Sequence, residues 1–191
     1  MEFWLDALSI LVFALVGVAT KLVDDFYDEQ TTLKQKTAAK KKERFYQIFS
    51  IIYAIAVGLL LILRPDVGAI FLAIFFGVLI AHKVDNKAFY YSAIAFILVL
   101  LASLALGIQS LYSFRIVLIV FLAVGELGDE FLRHKFLKTK SLIGKISEYY
   151  PVMKLFGLAA FLLGRISLTA FLCLLVFDAG YYLASKKFFL K

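Results

Sequence analysis

Asp24, Asp25 and Asp28 form a DDxxD run where the first long apolar segment of the chain ends. Glu126, Asp129 and Glu130 form a second acidic group where the fifth such segment ends. On a helix, residues three or four apart share a face. Asp28 therefore meets both Asp24 and Asp25, and Glu126 meets both Asp129 and Glu130. Like charges gathered this closely cost energy unless a cation neutralises them. Magnesium prefers carboxylate oxygens and bridges them to substrate phosphates. The chemistry expected is Mg2+ held by Asp24, Asp25, Asp28, Glu126, Asp129 and Glu130, with a diphosphate between the two groups. Ion pairing along each helix is the plainer account: Lys21 reaches Asp25, and Asp129 reaches Arg133.

The elements carrying these residues are set by composition. The chain has 191 residues, 63% of them hydrophobic, and a mean hydropathy of +0.91. Soluble domains run nearer half apolar, so an integral membrane protein is expected rather than a globular domain with a large core. A net charge of +7 then reports topology and contact with anionic head groups; membrane lipid is an expected partner and nucleic acid is not. Cys173, the single cysteine, reads as a small buried hydrophobe. No cleavable signal is expected, because the first apolar stretch is too long and opens on Glu2 rather than a basic region.

About 20 apolar residues cross a bilayer as a helix. That rule gives seven spans: 3–23, 45–63, 67–81, 88–107, 111–127, 151–163 and 166–183. Pro65 and Pro151 suit helix starts, since a first turn does not use the missing N–H. No sheet pattern appears. The expected fold is all-α, a polytopic membrane helix bundle forming one transmembrane domain over 1–191. Basic residues crowd the segment after span one (Lys34, Lys36, Lys40, Lys41, Lys42, Arg44), the segment after span five (Arg133, Lys135, Lys138, Lys140, Lys145) and the tail. The opposite loops hold only Arg64, Arg115 and Arg165. The positive-inside rule puts the N-terminus outside, the C-terminus in the cytoplasm, and both acidic groups on the cytoplasmic side of a cell membrane. Segments 24–44 and 133–150 are then cytoplasmic loops, long enough to act as lids. Four spans separate the acidic groups, a layout that suggests a parallel internal repeat.

Depth singles out two carboxylates. With Arg115 at the outer boundary, Glu126 lies about 16 Å along its helix, near the bilayer middle. Asp178 in span seven lies at comparable depth. Each must face a polar cavity or pair with a neighbour. The cations able to meet a phosphate are Lys21, Lys83, Arg133 and Lys138, with Asp178 beside the same substrate. Tyr90-Tyr91, Tyr149-Tyr150 and Tyr181-Tyr182 fit an interfacial aromatic belt. Serine–histidine–aspartate, paired-cysteine zinc and phosphate-loop patterns are absent from the sequence.

These residues resemble the UbiA superfamily of intramembrane prenyltransferases. That family's first motif reads N/D-D-x-x-D-x-x-x-D at the inner end of its second helix; Asp24, Asp25 and Asp28 match, and Thr32 stands at the last position. Its second motif reads D-x-x-D-x-x-x-D before a basic K-T-type stretch. Glu126 and Asp129 match by charge, Arg133 takes the last position, and Lys138-Thr139-Lys140-Ser141-Leu142 resembles the stretch that follows. The resemblance implies a short, divergent member, missing the first and last of nine helices. It implies a prenyl diphosphate held by Mg2+, with Asp25, Asp28 and Asp129 catalytic. Ionisation of the allylic C–O bond would be followed by capture of the cation by an aromatic or lipid acceptor.

Two other classes of function fit the same residues. Glu126-Leu127-Gly128-Asp129 also resembles the E-x-G-D signature of small cation/manganese exporters, and midmembrane Glu126 and Asp178 suit the ion path of a small divalent-cation transporter. A structural subunit, with acids paired only to nearby lysines, is the third.

Overall fold

The computed structural model describes residues 2–32, 36–81, 84, 86–108, 115–136 and 151–185, the side chains of Glu2, 28–32, 36–41 and Ser185 excepted. Among the described residues every regular element is an α-helix: α1 (Glu2–Thr32), α2 (Lys36–Leu63), α3 (Pro65–Ile80), α4 (Lys87–Ala105), α5 (Ile116–Phe136), α6 (Pro151–Leu162) and α7 (Leu168–Ser185). Three stretches, Phe3–Tyr27, Lys42–Leu63 and Lys87–Ala105, are long and apolar enough to cross a membrane. The helices α3, α6 and α7 are apolar but shorter. Along α5, Glu126, Asp129, Glu130 and Arg133 interrupt the apolar run.

Local chemistry sets the boundaries. Pro65 opens α3, with Asp66 in its first turn. Asn86 caps α4 by accepting the Phe89 N–H at 3.0 Å, and Ser167 caps α7 by accepting the Ala170 N–H at 3.1 Å. Helix α6 ends at Gly164, whose φ of +64° closes the last turn: Gly164 N–H bonds the Phe161 carbonyl and Arg165 N–H the Ala160 carbonyl.

The stretch 24–44, expected as a loop, is instead mostly helix, since α1 continues to Thr32 and α2 starts at Lys36. Its run of Lys, Glu, Gln and Ala has good helix propensity, which polarity alone does not cancel. The stretch 137–150 lies outside the described residues.

Neighbours in sequence run antiparallel, and helices two apart in order run the same way. At one end of the bundle Asp6 of α1, Arg64 after α2, Asp66 of α3 and Ser167 before α7 are tied together. Arg64 pairs with Asp6 and, at 3.5 Å, with Asp66, and Ser167 Oγ donates to Asp66 at 2.5 Å. At the other end Tyr181 of α7 donates to Asp24 of α1 at 2.9 Å. Helices α1 and α7 are thus parallel over their length. Gly17 and Gly180 let them touch: a Cβ on Gly17 would stand 2.1 Å from the Phe177 carbonyl oxygen, and one on Gly180 2.4 Å from that of Ala14.

The other main contacts are α2 with α4, α3 with α5, and α5 with α6. Exchanging α1 with α5 and α3 with α7 turns the α1–α7 contact into the α5–α3 contact, a pattern that agrees with the expected repeat. The outside is apolar. Phe45, Ile48, Ile52, Ile55, Leu59 and Leu63 are all exposed along one face of α2, at the three-and-four spacing of a helical stripe. In water such a stripe would be a large exposed patch, whereas in lipid it is the ordinary outer surface.

Candidate functional site

The end of the bundle that holds the C-terminus of α1 also collects the C-termini of α3, α5 and α7 and the N-terminus of α6. The first acidic group sits on α1. Lys21 Nζ lies 3.2 Å from Asp24 Oδ2 and 2.8 Å from Asp25 Oδ1, and stands 5.2 Å over the Tyr181 ring. Lys21 and the Tyr181 hydroxyl therefore already engage these two carboxylates. The Asp28 side chain lies outside those described, as do Lys83 and Lys138.

The second group sits on α5 and is more deeply placed. Asp129 is fully buried. Its two oxygens accept the N–H groups of Val152, at 2.9 Å, and Met153, at 2.7 Å. Those are the first donors of α6 that no intrahelical partner satisfies, so Asp129 caps a neighbouring helix and its charge faces that helix's positive end. Arg133, four residues on, contributes charge near Tyr181 and so faces the Asp24 side of the site.

Glu126, one helical turn before Asp129, is 7% exposed. Its side chain lies against Gly77 of α3, where a Cβ would come within 2.4 Å of the Glu126 Cγ. Only glycine leaves that space. Among the described residues Glu126 makes no hydrogen bond or ion pair. Among the described residues, the charges acting on it include Asp178, Asp129 and Glu130, all of its own sign, and the cation Lys154. Lys154 of α6 is itself paired with Asp178 of α7 at 2.5 Å.

Glu126, Asp129, Glu130 and Asp178 lie within electrostatic reach of one another. Asp24 and Asp25 join them only indirectly, through Tyr181, which lies three residues beyond Asp178 on α7. Among the described residues, no three of His, Cys, Asp and Glu stand close enough to hold a metal ion.

Three participants escaped the sequence reading. Lys154 is not among the expected site residues, although the reasoning that singles out Asp178 applies to it as well. Tyr181 fits an aromatic belt by sequence, and no local signal marks Gly77. No family model matches this chain, and neither a curated protein nor a solved structure matches it.

Proposed function

We propose that the chain is a polytopic membrane protein that carries a small cation, the proton foremost, across the bilayer, with Glu126 and Asp178 as the groups that take it up. The observation that carries this reading is a charge imbalance in a buried place. The α6 N-terminus offsets Asp129, and Lys154 offsets Asp178. Glu126 remains, buried and without a pairing partner among the described residues. A carboxylate in that position calls for one more positive charge. One charge suits a proton or a monovalent ion better than a doubly charged one. Lys154 stands within electrostatic reach of both Glu126 and Asp178. Loading one carboxylate would free the lysine to favour the other, which supplies the two charge states a carrier needs.

In this reading all seven helices span the membrane, the N-terminus is outside, and the acidic end faces the cytoplasm, as the distribution of Lys and Arg suggests. The test is flux in proteoliposomes. Wild type should pass protons down an imposed gradient and Glu126→Gln should not. Equal flux in both would contradict it.

A second reading is UbiA-like prenyl transfer from a prenyl diphosphate to an aromatic or lipid acceptor. Its support is that both acidic groups lie at one end of the bundle and meet on α7 through Tyr181 and Asp178. Labelled geranylgeranyl diphosphate with Mg2+ separates the two: turnover that Asp25→Ala abolishes while flux persists would favour the enzyme.

A further inference from the structure

The opposite end of the bundle holds a feature that neither reading uses. A cavity of about 960 Å3 opens between the start of α5 and the end of α6. Leu118, Phe121, Ala160 and Leu163 form its apolar wall, and Arg115 and Arg165 stand at its rim. That volume lies within the range of ligand sites, roughly 300–1,000 Å3, and apolar walls with a few polar groups are their usual composition.

The two arginines are brought together by backbone chemistry. Gly164, in the left-handed region, ends α6 and turns the chain so that Arg165 follows at the rim. Arg115 takes a φ of +45° immediately before α5, a conformation uncommon for a non-glycine residue. From there its guanidinium donates to the Arg165 carbonyl at 2.6 Å. Among the described residues, neither arginine pairs with a carboxylate and no acidic side chain lines the cavity.

The cavity wall continues onto the outer surface of the bundle, where Val117 is 85% and Leu163 70% exposed. An apolar chain could therefore enter sideways, from lipid. Two forked donors at the rim suit an anionic phosphate oxygen, and guanidinium pairs with phosphate in a bidentate manner.

We propose that this cavity binds an anionic phospholipid, with its phosphate held by Arg115 and Arg165 and its acyl chain against Leu118, Phe121 and Leu163. Charge complementarity selects that occupant: two guanidinium groups, neither paired with a carboxylate among the described residues, meet an apolar, laterally open wall. A zwitterionic lipid would bring its own cation against the arginines. A soluble anion would leave the wall empty.

The test is native mass spectrometry of the full chain in detergent, titrated with phosphatidylglycerol and with phosphatidylcholine of the same chains. Wild type should retain phosphatidylglycerol about tenfold better, and Arg115→Gln with Arg165→Gln should remove the preference. Both side chains are exposed, so unfolding should change by no more than the lost bond from Arg115 to the Arg165 carbonyl, and Arg165→Lys should restore part of the preference. Equal retention of the two lipids, or a preference unchanged in the double variant, overturns the proposal. Displacement of phosphatidylglycerol by glycerol 3-phosphate also overturns it, because a soluble anion would then be the occupant.

Discussion

Glu126 packs against the bare backbone of Gly77, so close that a Cβ there would stand 2.4 Å from its Cγ and 2.7 Å from its Cβ. A buried carboxylate has been given room by removing a side chain from the facing helix. That pairing of α3 with α5 links the packing of the bundle to the chemistry proposed for it.

Gly77→Ala should therefore act on function through Glu126. Overpacking of this kind costs about 1–3 kcal/mol, and the side chain must move to relieve it. Thermal unfolding in detergent should show the loss. Adding Glu126→Ala removes the 2.4 Å contact with Cγ but leaves the Glu126 Cβ 2.7 Å away, so it should recover part of the stability and none of the flux. If the double variant is no more stable than Gly77→Ala, the contact is not what the substitution disturbs.

Asp129 offers a second, independent measurement. Asp129→Ala would leave the N–H groups of Val152 and Met153 without their acceptors, at about 1–3 kcal/mol. Asp129→Asn keeps one acceptor oxygen and should fall between. Amide hydrogen exchange at Val152 and Met153 should speed up in Asp129→Ala more than at residues late in α6. Uniform exchange along α6 would count against a capping role.

The Lys154–Asp178 pair distinguishes a structural contact from a working one. Lys154→Ala should cost about 1–3 kcal/mol, less than for a fully buried pair because the lysine is partly open to its surroundings. Lys154→Met together with Asp178→Leu should regain most of that stability, since two apolar side chains replace two charges. Flux should be lost in both. Flux surviving in the stable double variant would remove this pair from the pathway.

At the α1–α7 seam, Gly17→Leu would drive a side chain into the Phe177 carbonyl, where even a Cβ stands 2.1 Å away. The helices must separate, and close backbone approach is what small residues provide in a membrane. A loss of about 2 kcal/mol or more in unfolding free energy is expected. The same change at Gly164, whose Cβ direction is open, would act only through its positive φ, at about 1 kcal/mol.

The helices were legible because apolar runs, Pro65 and Pro151 are local signals. The depth of Glu126 and Asp178 could be read from residue counting along a helix. What counting could not give was lateral neighbourhood. Lys154 lies within reach of Glu126 only because α6 folds back on α5, and Tyr181 reaches Asp24 only because α1 and α7 run side by side. The length of helix through 24–44 was missed for a different reason: polarity there was read as loop, while its Lys, Glu, Gln and Ala favour helix.

Proton flux through Glu126→Gln in proteoliposomes, measured beside wild type under the same gradient, bears most directly on the central claim. The substitution keeps shape and removes only the titrating charge, so the protein should remain folded and flux should fall to that of empty vesicles. Flux equal to wild type in a folded Glu126→Gln protein would contradict the account.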